Sequence, residues 1–255
     1  MRKKGRRRRK HRRTRQRRFL VSVMILIVLG FFVWKIIDSE SDFDRQSLAA
    51  AGCPESLLDL AERNPETVKF VEGYLDYDSN SVDRDVSREV KKGKIPLFLQ
   101  WDKRWGYEQY GDDYMAITGC GPACLSMVYC GLTGNPDMNP YEVAKKAEAE
   151  SYYVDGIGSS WNIMDEFAEK MGLSVENVSF DEASIKSELA EGNPIICIMG
   201  PGDFTATGHF IVLTGLSRSG KIMINDPNSK KRSRKQWELN DIMPQIRNLW
   251  VYRCK

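Results

Sequence analysis

The chain has 255 residues, enough for one core of ordinary size with extensions. Its formal charge of +3 hides an asymmetry: residues 2–18 carry 13 Lys or Arg and no acid, leaving 25 basic against 35 acidic residues elsewhere. An acidic body is poorly suited to nucleic acid, because phosphate contacts need positive charge.

The basic tail, residues 1–18, runs into "FLVSVMILIVLGFFVWKII", Phe19 to Ile37, an apolar stretch with one Ser, one Gly and one late Lys35. A helix of that length spans about 30 Å of hydrocarbon, and Trp34 and Lys35 suit an interfacial position. Positive charge before the stretch, with Asp38, Glu40, Asp42 and Asp44 after it, predicts a transmembrane helix with a cytoplasmic N-terminus. The tail is then expected on anionic cytoplasmic lipid and the body outside the cell. A cleaved signal peptide is the alternative. Its candidate cleavage sites, Ala49-Ala50-Ala51 and Leu48 to Cys53, lie more than ten residues beyond the apolar run, which is too far.

Residues 38–50 read as an acidic linker and 51–94 as a helical accessory segment, either a small domain or a brace on the main body. "PESLLDLAER" predicts one helix starting at Pro54. "NPETVKFVEGYLDY" predicts a second, capped by Asn64 with Pro65 first, with Val68, Phe70, Val71 and Leu75 on its apolar face. "SVDRDVSREVKKG" reads as a third, closed by Gly93.

The main body is expected over residues 95–255. Ile95 to Trp101 reads as a short buried strand containing Gln100. "CGPACLSMVYCGL" predicts a helix with Pro122 in its first turn and Gly131 at its stop. Further helices are expected in "NPYEVAKKAEAE", "GIGSSWNIMDEFAEKMGL" and "DEASIKSELAEGN". The period then changes: "PIICIMG", "GHFIVLTGLS", "KIMINDP" and "NLWVYR" read as strands. Helices first and strands second predict an α+β fold with an antiparallel sheet.

Only one histidine, His209, lies outside the basic tail. There is no CxxC pair, HExxH, Walker loop or GxGxxG, and "GLSRSG" has the wrong spacing for a serine elbow. No metal or cofactor is expected. Any Cys–His or Ser–His chemistry must use His209 as its base. Cys120 sits where the "CGPAC" helix begins, and the positive end of a helix dipole favours thiolate. Gly119 and Gly121 remove bulk on both sides of it, leaving room for a substrate backbone. Cys124 and Cys130 fall along the helix and read as packing. A small buried residue is the plain reading of Cys120 as well. A hairpin through "LSRSG" brings the end of one strand, Asn225-Asp226-Pro227, beside the start of the other at His209. Either Asp226 or Asn225 can then orient the imidazole, although Asp-Pro is also a common strand end. For the oxyanion, the Cys120 N–H and the side chain of Gln100 are the candidate donors.

The pattern "LQWDKRW…GCGPACLSMV…GHFIVLTG…INDP" resembles the stand-alone relatives of the double-glycine-leader peptidases in the papain-like clan, over roughly Ile95 to Tyr252. That resemblance implies a papain-like fold without metal, with Cys120 as nucleophile, His209 as base, Asp226 as orienter and Gln100 in the oxyanion hole. The best-understood members are fused to peptide-exporting ATP transporters and face the cytoplasm, whereas this body is expected to face outward. The expected partner is a peptide or protein substrate. Cell-wall stem peptides are an alternative substrate, and a non-catalytic peptide-binding module is an alternative function. The six cysteines allow one or two disulfides at most, without fixing a pairing. "GIGSSW" reads as a helix cap or a cleft wall. "SKKRSRK", Ser229 to Lys235, reads as a solvated loop or an anion-binding surface. Trp101, Trp105, Tyr107 and Tyr110 form either an aromatic wall near Gln100 or core.

Overall fold

In the computed structural model, which describes residues 43–255, most helices precede the long strands, although short strands and helices interleave along the chain. The chain runs through α1 (Arg45–Ala50), α2 (Glu55–Arg63) and α3 (Val68–Glu72), then the ribbon β1 (Gln109–Tyr110) and β2 (Asp113–Tyr114). Next come α4 (Met115–Thr118), α5 (Cys120–Thr133) and α6 (Pro140–Ala149), a second ribbon, β3 (Tyr153–Val154) and β4 (Gly158–Ser159), then α7 (Glu166–Lys170) and β5 (Leu173–Glu176). The remainder is α8 (Glu182–Ala190), β6 (Ile195–Met199), β7 (His209–Leu216), β8 (Ile222–Asn225), α9 (Lys230–Arg234), β9 (Gln236–Trp237), α10 (Leu239–Ile242) and β10 (Ile246–Cys254). The tail and the apolar segment 19–37 lie outside the described residues. Among the described residues no helix is long and apolar enough to cross a membrane.

Six strands form one antiparallel sheet in the order β5-β10-β6-β7-β8-β9. Side chains alternate faces along a strand, so a sheet covered on both sides is apolar at every position. One core takes Ile196, Ile198, Phe210, Val212, Trp250 and Tyr252 together with α5. The other takes Ile195, Cys197, Met199, Ile211, Leu213, Leu249 and Val251 with α8 and α10. The four long runs of the sequence account for the centre of this sheet. Its edge strands β5 and β9 are short and carry little pattern of their own.

Helix α5 is buried from Gly121 through Val128, as expected of a helix apolar all round. It stops at Gly134, in the left-handed conformation (φ 76°), not at Gly131. Gly131 lies inside the last turn, where a Cβ would meet Ile95 Cα at 2.8 Å.

Several local expectations fail for identifiable reasons. The second half of the 38–50 stretch is α1, whose Arg45 pairs with Glu55, Asp59 and Glu62. The second accessory helix is broken by Gly73, which leaves Leu75 half-exposed. Residues 81–93 form turns, not a helix. Asp83 Oδ1 accepts the Asp85 N–H (2.9 Å) and Asp85 Oδ1 accepts the Ser87 N–H (2.8 Å), local bonds that compete with helix formation. Residues 95–101 run beside Asn225–Pro227 but join no strand ladder. Pro96 has no N–H, and the Asn225 side chain takes the Ile95 and Pro96 carbonyls.

Arg45–Lys255 form one unit, so the accessory segment is a brace. Phe70 stacks on Tyr107 with ring centroids 4.1 Å apart. Glycine is required at 106, where a Cβ would meet the Phe70 ring at 2.8 Å. Trp101, Trp105, Tyr107 and Tyr110 are all buried, so these aromatics are core.

Candidate active site

Cys120 is the first residue of α5, and Pro122 falls in the first turn, where a missing N–H breaks no intrahelical bond. The two flanking glycines have structural tasks. A Cβ on Gly121 would meet Ser159 Oγ at 2.5 Å, and one on Gly119 would meet Met115 O at 2.5 Å. Their missing side chains admit β4 and the α4 backbone, so the room expected there for a substrate is already filled.

The structure brings Cys120, His209 and Asp226 together. His209, first residue of β7, has Nε2 2.8 Å from Asp226 Oδ1. Nδ1 is therefore the ring nitrogen left for the hydrogen bond to the Cys120 thiol. Burial would raise that thiol's pKa, but the hydrogen bond and charge of His209, with the N–H groups of Phe210 and Gly121, hold it below its ordinary value. Burial likewise disfavours the imidazolium. The Asp226 carboxylate outweighs this and, with Cys120, pushes His209 up to about 10. Both shifts therefore favour the thiolate–imidazolium form of the pair over the neutral one. Four buried thiols move the opposite way: burial raises Cys53, Cys124 and Cys197, and takes Cys130 to about 12. All six cysteines are free.

Asp226, not Asn225, faces His209. The Asn225 amide is committed to Ile95 and Pro96, whereas Asp226 is fully buried with three donors on its carboxylate. Oδ1 accepts from His209 and from the Asn228 N–H (2.8 Å), Oδ2 accepts from Arg232 Nε, and the Asp226 N–H donates to Ser233 Oγ (2.9 Å). Burial opposes its charge, but His209 and then Arg232 hold the carboxyl below the ordinary carboxylate range. Sulfur, imidazole, carboxylate and guanidinium thus form a chain of alternating charge. Sequence reasoning misses Arg232, which sits in a basic run that looks like a solvated loop; Asp226 six residues upstream is the only hint.

Gln100 is not brought into the cleft. It is 3% exposed, its Nε2 donates to Ala116 O (2.8 Å) and Ile117 O (3.2 Å), and its Oε1 has no partner. A cavity of about 770 Å³ opens over Cys120 and His209, walled by Gly158, Ser159, Trp161, Thr207 and Arg247. "GIGSSW" is both of the things expected of it: Ser160 Oγ accepts the Asn162 N–H (3.3 Å), and Ile157 and Trp161 stand exposed on the cavity rim. Among the described residues no group of three or more His, Cys, Asp or Glu is placed to hold a metal ion.

Residues 92–254 match the model of the Peptidase_C39 like family. The chain belongs to that family. The helix–sheet architecture agrees with it, and membership points to cysteine peptidase activity. Helices α1–α3 lie ahead of the matched span. No curated protein matches the chain.

Proposed function

We propose that this protein is a membrane-anchored, extracytoplasmic cysteine peptidase that hydrolyses peptide bonds through Cys120, His209 and Asp226. The observation that carries this reading is His209 held between the Cys120 thiol and the Asp226 carboxylate. The Cys120 thiolate attacks the substrate carbonyl carbon, and the Cys120 N–H at the tip of α5 steadies the oxyanion. His209 gives its Nδ1 proton to the leaving amine as the C–N bond breaks, leaving a thioester. The neutral imidazole then takes a proton from water, which attacks the thioester and releases the acid and the thiolate. Gln100 serves as a second oxyanion donor once its amide turns away from the Ala116 and Ile117 carbonyls. The segment 19–37 anchors the enzyme, with the basic tail on cytoplasmic lipid.

The test is hydrolysis of a peptide library and of murein fragments by the purified full chain. Cys120→Ala is expected to lower cleavage by at least about 10³-fold with folding intact. Undiminished cleavage would overturn the mechanism, and the substrate cut decides between protein and cell-wall peptides. Protease shaving of intact cells is expected to remove the body; its protection would overturn the outward orientation.

A further inference from the structure

Resting on the triad just proposed, we infer that Asn64 and Glu66, which lie ahead of the family's matched span, are positioning residues for Asp226. Both lie in the turn between α2 and α3, in the brace. Asn64 Nδ2 donates to Asn228 O at 2.8 Å and to Asn228 Oδ1 at 3.0 Å. The Glu66 carboxylate accepts the Ser229 hydroxyl, the Lys230 N–H (2.9 Å) and the Lys231 N–H (3.2 Å). These are the first N–H groups of α9, which have no acceptor within their own helix. A carboxylate from a distant part of the chain therefore fixes where α9 begins.

What α9 carries makes this matter. Ser229, 4% exposed, donates to Glu66 and accepts the Arg232 N–H at 3.0 Å. Arg232 and Ser233, in the same turn, hold the Asp226 carboxylate and its N–H. The connection runs Glu66, Ser229, Arg232, Asp226, His209, Cys120, each step a hydrogen bond. The loop is also pinned by Gln100 N to Pro227 O (2.8 Å) and Trp101 Nε1 to Asn228 O (3.2 Å), both from residues within the family span. Glu66 and Asn64 add the clamp that the family span lacks. If they are lost, α9 keeps its sequence but not its seat. Arg232 and Asp226 then drift from His209, the imidazolium loses its partner, and the Cys120 thiol rises because burial is less well opposed.

The experiment measures iodoacetamide alkylation of Cys120 against pH in the purified full chain, because the thiolate fraction reports the ion pair without any substrate. Glu66→Gln is expected to move the acid limb upward by about one pH unit, a loss of about tenfold in rate at a fixed pH on that limb. Glu66→Asp is expected to recover part of it. Tyr77→Phe is the comparator: it removes a hydrogen bond from the same segment to Glu108, away from α9, and is expected to leave the limb unmoved. A Glu66→Gln shift no larger than that of Tyr77→Phe would overturn the clamp. Should Glu66→Gln fail to fold, Asn64→Ala is read by the same criterion. The two proposals fail separately: retained hydrolysis in Cys120→Ala removes the triad, whereas loss of hydrolysis there with an unmoved limb in Glu66→Gln removes only the clamp.

Discussion

The two sides of the site are built in opposite ways. Cys120 belongs to a core helix whose position is set by its own sequence, with Gly121 admitting Ser159 and buried residues along the whole of α5. Asp226 belongs to a loop whose own residues are mostly polar, and Asn64, Glu66, Gln100 and Trp101, all remote in sequence, hold that loop in place. Packing makes the thiol side rigid, whereas hydrogen bonding makes the acid side rigid. Packing tolerates little change of volume, and hydrogen bonding tolerates little change of charge or donor geometry.

Breaking the link between the two sides has the largest expected effect. His209→Ala leaves Cys120 with burial and no cation, so its alkylation by iodoacetamide at neutral pH is expected to fall by about 10²-fold. An unchanged rate would mean that the helix tip alone activates the thiol. The acid side is tested next by Asp226→Asn, which keeps a hydrogen-bonding group but removes the charge. His209 is raised from 6.5 to about 10, so the stability this pairing adds is complete below about 6.5 and is lost as pH climbs through about 10, where the folded imidazolium deprotonates. The alkaline limb of hydrolysis is therefore expected near pH 10 in the native protein and lower by about 1 to 3 pH units in Asp226→Asn. A limb that stays in place would separate Asp226 from the imidazolium.

The thiol side should answer to volume instead. Gly121→Ala places a Cβ against Ser159, and a cost of about 1 to 3 kcal/mol is expected in thermal or denaturant unfolding. Destabilisation below about 0.5 kcal/mol would show that β4 can move aside. The smallest effect is expected from Cys124→Ala, one turn along α5. It should lower stability by about 1 kcal/mol and leave Cys120 alkylation unchanged, because Cys124 is buried and its thiol is raised.

This division also explains what was legible in the sequence. Cys120 is readable because a helix start, two glycines and a proline fall within one turn. His209 is readable through scarcity, and its acid neighbour through hairpin geometry, which narrows the choice to Asn225 or Asp226. The choice between those two is not local: it depends on Ile95 and Pro96 capturing the Asn225 amide. Arg232 is hidden for the same reason, since its meaning depends on α9 turning back on Asp226 under a carboxylate 166 residues upstream at Glu66. The mistaken helix at 81–93 and strand at 95–101 are failures of propensity and pattern, in which aspartate side chains and one proline redirect the backbone bonds.

The contact between Glu66 and the start of α9 joins residues 163 to 165 positions apart. Closing so long a loop is entropically unfavourable until the intervening chain has folded, so such a contact forms late. A chain made from its N-terminus has residue 66 in place long before residue 229 exists. The helix that bears the sulfur shares its core with Phe210, Val212, Trp250 and Tyr252, so it too is seated only when the C-terminal strands are made.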